Sequence, residues 1–129
     1  MAYNILVVDD SKTVRRMITK TLGMAGIPLN ELYQAENGRE GLEVLAANWI
    51  DLVLTDINMP EMDGVEMIEH MSDDGMLKTV PVVVVSTEGS ETRIEELKQK
   101  GIRGYVRKPF TPEAIKDVVE EILGGQDDG

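Results

Sequence analysis

The sequence contains no cysteine and a single histidine, His70. Without cysteine the chain has no disulfide, no thiolate ligand for a metal and no thiol nucleophile. One imidazole is too few for a zinc site built from histidines. These absences exclude disulfide chemistry, zinc sites built from thiolates or histidines, and catalysis by a cysteine nucleophile.

Long apolar runs and an excess of basic residues are also missing. The longest apolar run, residues 80–85, contains Pro81 and is far too short to span a bilayer. The N-terminus has neither a basic segment nor an apolar run long enough for a secretory signal, so we expect a soluble cytoplasmic protein. The 24 acidic residues exceed the 13 basic ones, and the net charge of -11 argues against nucleic acid or membrane as a partner.

What the chain does contain is an alternation of short apolar runs and helical patterns. With 129 residues, 42% of them hydrophobic, it has the size and composition of one globular domain. Strands are predicted at residues 5–8, 32–35, 52–55, 82–85 and 104–107, each followed by a helix. Five such cycles predict a doubly wound α/β fold, in which helices cover both faces of a five-stranded parallel sheet.

Helical periodicity assigns sides to the helices. In the first helix Val14, Ile18 and Leu22 share an apolar face, whereas Arg15 and Arg16 fall on the opposite, polar face. Trp49 is expected to pack as a lid at the end of the second helix. The fourth helix has only Ile94 and Leu97 as apolar anchors, and the last helix is capped by Thr111.

Polar side chains follow four of the predicted strands. They are Asp9 and Asp10 after the first, Asp56 after the third, Ser86 and Thr87 after the fourth, and Lys108 after the fifth. In an open parallel sheet ligands bind at the carboxyl ends of the strands, so we expect these side chains to converge. Taken singly, each is typical of a cap, a turn or a surface charge; their joint placement favours a site.

The chemistry of this set favours phosphoryl transfer. Three neighbouring carboxylates repel one another and call for a cation, and oxygen ligands with room for water suit Mg²⁺. A metal ion, a lysine and a hydroxyl together hold phosphoryl oxygens, and a carboxylate can act as the nucleophile. The residues therefore predict Mg²⁺-dependent phosphoryl chemistry on an aspartate.

Four segments carry a resemblance to a known family. They are Val7-Val8-Asp9-Asp10-Ser11, the run from Thr55 to Gly64, Val84-Val85-Ser86-Thr87-Glu88, and Lys108-Pro109-Phe110. From residue 4 to about 123 the chain resembles the receiver domain of two-component response regulators, and most of all the single-domain, CheY-like chemotaxis regulators. The resemblance implies the flavodoxin-like strand order 2-1-3-4-5 and a receiver domain over residues 1–124. The sequence that follows predicts a flexible tail over residues 125–129.

The resemblance also implies a role for each site residue. Asp56 matches the phosphoacceptor, and Lys108 matches the residue that pairs with the phosphoryl oxygens, with a cis peptide bond to Pro109. The implied Mg²⁺ ligands are Asp10, Asp56 and the backbone carbonyl of Asn58, with Asp9 acting through water. Ser86 matches the switch hydroxyl, for which Thr87 is the competing candidate, and Tyr105 matches the aromatic switch. Asn58 and Glu88 match the positions that tune self-dephosphorylation.

The implied function is signalling rather than enzymatic turnover. A sensor histidine kinase would pass a phosphoryl group from its phosphohistidine to Asp56, and small donors would do so without a kinase. Phosphorylation would then change the surface of the fourth helix, fifth strand and fifth helix, so that this monomer binds a downstream protein such as a motor switch component or a phosphatase. Slow self-dephosphorylation would end the signal.

Several alternatives stay open. The chain could be an intermediate in a phosphorelay, the receiver piece of a larger regulator, or an interaction module that no longer takes a phosphoryl group. A Mg²⁺-dependent phosphohydrolase of the haloacid-dehalogenase type would use Asp9 as nucleophile. That class needs an Asp-x-Asp arrangement, whereas this chain has Asp9-Asp10-Ser11.

Overall fold

The computed structural model describes residues 2–87 and 90–127. Its strands are β1 (Tyr3–Val8), β2 (Leu29–Ala35), β3 (Leu52–Thr55), β4 (Val82–Ser86) and β5 (Gly104–Arg107). They form one parallel sheet in the order β2-β1-β3-β4-β5, which confirms the predicted topology. The central strand β3 lies between β1 and β4, so residues that follow β1, β3 and β4 share one edge.

Five α-helices connect and follow these strands. They are α1 (Lys12–Met24), α2 (Gly38–Ala47), α3 (Gly64–Asp73), α4 (Glu91–Lys100) and α5 (Pro112–Asp127), with a short 3-10 helix at Met76–Lys78. The last helix includes residues 125–127, whereas 128 and 129 lie outside the described residues, so the flexible tail stays a prediction. No helix within residues 2–87 and 90–127 is long and apolar enough to cross a membrane.

Both faces of the sheet are buried. Along β1, Leu6 and Val8 belong to the apolar cluster that also contains Met67 of α3 and Leu97 of α4. Ile5 and Val7 point into the opposite cluster, with residues of α1 and α5. A strand covered on both sides has no solvent face, which is why its sequence reads as an unbroken apolar run.

The structure differs from the expectations for β2, Arg15 and Trp49, and β1 begins at Tyr3, two residues earlier than predicted. The strand β2 begins at Leu29, three residues earlier than predicted, because exposed Asn30 and Glu31 hide the start of this edge strand. Arg15 was placed on the polar face of α1 but is only 7% exposed. Trp49 was expected to pack as a lid but is 76% exposed, with its indole nitrogen donating to Asp51 Oδ1 at 3.0 Å.

Side-chain caps set where helices begin near the site. The hydroxyl of Ser11 accepts a hydrogen bond from the Val14 amide, so α1 starts one residue after the acidic pair that follows β1. Asp63 caps α3 in the same way. Thr111 accepts from the Ala114 amide at 3.1 Å, as its position predicted. Each cap satisfies a backbone donor that a helix start leaves free.

Candidate functional site

Three carboxylates meet at the carboxyl edge of the sheet. Asp9 and Asp10 follow β1, Asp56 follows β3, and one oxygen of each lies within 4.8 Å of the others. The neighbouring strands fix this approach, because the Asp56 amide donates to the Val8 carbonyl at 2.9 Å. Hard cations such as Mg²⁺ are bound by such oxygen sets, so the residues present fit the predicted metal.

Lys108 supplies the positive charge among these acids. Its Nζ lies 2.9 Å from Asp9 Oδ2 and 3.2 Å from Asp56 Oδ2, and all three side chains are largely shielded from solvent. The backbone holds the lysine in place, since its amide donates to the Ser86 carbonyl at 2.8 Å. The peptide bond from Lys108 to Pro109 is cis, as the resemblance implied.

For both Asp9 and Lys108, burial shifts the pKa in one direction and the hydrogen-bonded ion pair between them shifts it in the other. Burial raises the pKa of Asp9, and the hydrogen bonds from Lys108 and the Ser11 amide only partly offset it. For Lys108 burial opposes the charge, but the bond to Asp9 and the charges of Asp56 and Asp9 outweigh it and raise its pKa. The acids therefore favour the cationic form of Lys108, and the ammonium in turn limits the rise in the pKa of Asp9.

The residues proposed as a switch lie at the ends of β4 and β5. Ser86 is fully buried whereas Thr87 is exposed. Of the two candidate switch residues, Ser86 is therefore the one that lies inside the protein. The Tyr105 hydroxyl donates to the Ser86 carbonyl at 3.5 Å, and its half-buried ring packs against the cluster that contains Leu97 of α4. Tyr105 thus links the end of β4 to the apolar cluster in which α4 is anchored.

The loop after Asp56 is held tightly against the backbone. Asp56 Oδ1 accepts a hydrogen bond from the Ile57 amide at 2.7 Å, and the Ile57 carbonyl accepts one from the Gly64 amide at 2.8 Å. A Cβ atom at Gly64 would lie 2.1 Å from the Asp56 carbonyl oxygen. Glycine is therefore required at the start of α3 for this packing.

Sequence reasoning identified most of the charged site and missed one residue. The structure brings Asp9, Asp10, Asp56 and Lys108 together, as predicted. Asn58 lies exposed in the loop two residues after Asp56, and Glu88 lies outside the described residues. The residue that was missed is Arg15, which contacts the main chain of Asp9. Periodicity gave no sign of this contact.

Comparison with known proteins identifies the family. A model of the response regulator receiver domain matches residues 5–120, a range that includes every residue of the acid cluster and Lys108. This chain belongs to the response regulator receiver family.

The receiver is similar to chemotaxis proteins over nearly its whole length. It is 40% identical over 124 residues to chemotaxis protein CheY1 of Helicobacter pylori, covering 95% of this chain and 98% of that protein. It superimposes on Vibrio cholerae chemotaxis protein CheY4 with a TM-score of 0.84 and 32% identity, covering 95% and 100% of the two chains. A chain of the CheX-CheY-BeF3-Mg+2 complex of Borrelia burgdorferi gives a TM-score of 0.85 and 25% identity, covering 94% of this chain and 89% of that one. These relatives identify a CheY-like chemotaxis receiver.

Proposed function

We propose that this receiver takes a phosphoryl group onto Asp56 with the help of Mg²⁺, and that the modified form signals through α4, β5 and α5. The observation that carries the proposal is the position of Asp56. Its carboxylate lies at the central strand, within reach of two further carboxylates and 3.2 Å from the Lys108 ammonium. A nucleophile flanked by ligands for a cation and by a fixed cation suits phosphoryl transfer.

In the proposed reaction an Asp56 carboxylate oxygen attacks the phosphorus of the donor. A new O–P bond forms, and the N–P bond of a phosphohistidine, or the O–P bond of acetyl phosphate, breaks with its electron pair going to the leaving group. Asp56 Oδ1 is held by the Ile57 amide, whereas Oδ2 faces Lys108. The ammonium is therefore placed to neutralise oxygens of the incoming phosphoryl group.

The residues proposed to hold Mg²⁺ are Asp10, Asp56 and the Asn58 backbone carbonyl, with Asp9 acting through water. When bound, the ion supplies positive charge that offsets the charge of the phosphoryl oxygens. Asp9 is proposed to have a second role, because its carboxylate holds the Lys108 ammonium at a distance of 2.9 Å. Asn58 and Glu88 are proposed to set the rate at which water removes the phosphoryl group.

The proposed switch begins at the buried hydroxyl of Ser86. Movement of this hydroxyl towards the phosphoryl group would disturb the contact between Tyr105 and the Ser86 carbonyl. The helix α4 is lightly held, because Leu97 is its buried anchor and an exposed 3.2 Å pair from Lys100 to Glu69 links it to α3. A small change at Tyr105 can therefore shift the population of α4 conformations.

Amide exchange tests this switch. Adding Mg²⁺ and beryllofluoride, which stands in for the phosphoryl group, is expected to change exchange in β5, which contains Tyr105, and in α4, whose Leu97 belongs to the cluster that Tyr105 packs against. The helix α2, on the far side of α3 from α4, serves as the internal control and should change little. Unaltered exchange throughout residues 90–107 would rule out a switch in this surface.

The proposal includes partners and location. A sensor histidine kinase is proposed as the phosphoryl donor, and a motor switch component or a phosphatase as the protein that reads the modified surface. The receiver is proposed to act as a monomer in the cytoplasm. A role as phosphorelay intermediate shares the same acceptor chemistry and differs in passing the phosphoryl group on to a second histidine.

Intact mass spectrometry tests the acceptor chemistry. After incubation with acetyl phosphate, the parent protein is expected to gain one phosphoryl group when Mg²⁺ is present and none when the metal is chelated. Asp56→Asn should gain nothing, whereas Asp73→Asn, which alters an exposed carboxylate at the end of α3, should behave like the parent. A parent protein that gains no mass in a large excess of donor would favour an inactive interaction module.

A further inference from the structure

Arg15 is a buried arginine near the start of α1. Its exposure is 7%, whereas the next residue, Arg16, is exposed. An arginine side chain keeps its charge inside proteins, and burying that charge is unfavourable unless its donors are bound. The hydrogen bonds of the buried Arg15 side chain therefore indicate its role.

The guanidinium of Arg15 connects three elements through neutral oxygens. Its Nη1 donates to the main-chain carbonyl of Asp9, and its Nε donates to Gln34 Oε1 of β2 at 3.0 Å. Among the described residues, no carboxylate oxygen lies within 4.0 Å of the Arg15 guanidinium, the distance that defines an ion pair. The position of the Arg15 side chain is therefore set by two hydrogen-bond acceptors rather than by an ion pair. These two bonds connect α1 to the ends of β1 and β2.

The carbonyl that Arg15 binds belongs to the peptide joining Asp9 to Asp10. A peptide unit is planar, so holding its oxygen fixes the orientation of the whole plane and, with it, the backbone angles ψ of Asp9 and φ of Asp10. The side chains of both residues belong to the acid cluster. From its other end, Asp9 is held by the Ser11 amide at 2.8 Å and by Lys108 at 2.9 Å.

We propose that Arg15 is a positioning residue for the metal and phosphoryl site, acting by fixing the peptide plane that carries Asp9 and Asp10. The inference rests on the proposed function of that site. Arg15 touches the acid cluster through the main chain and leaves the carboxylate oxygens available to a cation. Residues that orient metal ligands in this way affect metal affinity without binding the metal.

A positioning role and a purely electrostatic role predict opposite effects on Mg²⁺ binding. A positive charge near the site repels the cation, so if charge alone mattered, removing it would tighten Mg²⁺ binding. If Arg15 positions the ligands, its removal weakens binding by about tenfold or more, the usual effect of losing a group that orients a ligand. The sign of the change therefore separates the two roles.

Calorimetric titration with Mg²⁺ alone tests the proposal on four variants. Arg15→Gln is expected to raise the Mg²⁺ Kd about tenfold. Arg15→Lys should fall between this variant and the parent, because an ammonium keeps the charge but lacks the planar set of donors that serves both acceptors. Arg16→Gln removes the same charge from an exposed position of the same helix and should leave the Kd close to that of the parent. Gln34→Met, which removes one acceptor of Arg15, should weaken binding by a few fold.

The amide of Ser11 gives a second readout in metal-free protein. Its bond to Asp9 Oδ1 depends on the placement of Asp9, so Arg15→Gln should speed exchange at this amide more than at the amides of α1. Uniformly faster exchange would indicate a general loss of stability and would contradict a positioning role.

Mg²⁺ binding by Arg15→Gln that is as tight as in Arg16→Gln, or tighter, would overturn the proposal. If Arg15→Gln does not fold, Gln34→Met decides, and an unchanged Kd in that variant overturns it. Mass spectrometry with acetyl phosphate separates this outcome from failure of the proposed function. A parent that binds Mg²⁺ but takes no phosphoryl group refutes the function and leaves the role of Arg15 in metal binding intact.

Discussion

Gly64→Ala is expected to lower the free energy of unfolding by about 3 kcal/mol or more. The added methyl group would lie 2.1 Å from the Asp56 carbonyl oxygen and 2.9 Å from the Ile57 Cα, both of them backbone atoms. Side chains at the end of a flexible stem could move aside, but here the main chain that carries the acceptor must shift. Urea denaturation of the metal-free protein measures the loss, and phosphoryl uptake should fall with it.

Gly23→Ala is the matched control for this substitution. It adds the same methyl group in the last turn of α1, where a Cβ atom would meet nothing within 4 Å. Alanine is favoured over glycine within a helix, so this variant should be more stable than the parent by roughly 0.5 to 1 kcal/mol. Equal stabilities for the two variants would contradict the close approach of α3 to Asp56.

Lys108→Met is expected to destabilise the metal-free protein by about 2 kcal/mol or more at neutral pH. The substitution keeps the length of the side chain but leaves the shielded carboxylates of Asp9 and Asp56 without their cation. The control, Lys116→Met, removes an exposed lysine whose 4.0 Å pair with Glu120 lies on the surface of α5, and it should change stability by less than about 0.5 kcal/mol.

Two conditions should restore the stability of Lys108→Met. Mg²⁺ is expected to raise the melting temperature of this variant more than that of the parent, because the cation then replaces the missing ammonium and meets no competing charge. Lower pH should also reduce the difference in stability between Lys108→Met and the parent. Burial raises the pKa of Asp9 above its value in the unfolded chain, so the folded variant binds a proton there more readily as the pH falls, and a neutral carboxyl needs no cation. If neither Mg²⁺ nor lower pH reduces the loss of stability, the loss arises from packing rather than from charge pairing.

The parts of the fold that could be predicted are those in which local pattern and global packing coincide. A continuous apolar run such as residues 5–8 is compatible with a strand covered on both faces, and the structure buries all four of these side chains. The carboxyl ends of parallel strands share one edge, so a common edge for Asp9, Asp56 and Lys108 followed from the strand assignments, whereas the strand order was implied by the resemblance.

The parts that could not be predicted depend on side chains whose destination is set by distant residues. Periodicity places the Cα atom of Arg15 on one side of α1, but its long stem bends back to a carbonyl at the end of β1. Trp49 is apolar and was expected to be covered, yet it hydrogen-bonds to Asp51 with most of its surface in solvent. The start of edge strand β2 is irregular, because Tyr3 pairs with Leu29 and Asn4 with Glu31, so exposed Asn30 is an extra residue that interrupts the strand pattern.

The central claim, that Asp56 is the phosphoacceptor, is tested most directly by locating the modified residue. Borohydride reduces an aspartyl phosphate to homoserine, so the protein would be treated with acetyl phosphate and Mg²⁺, reduced, digested and mapped by peptide mass spectrometry. The account predicts homoserine at position 56 and none at positions 9 or 10. Homoserine at position 9 would instead support the phosphohydrolase alternative, and a phosphoryl group retained on His70 would contradict the account altogether.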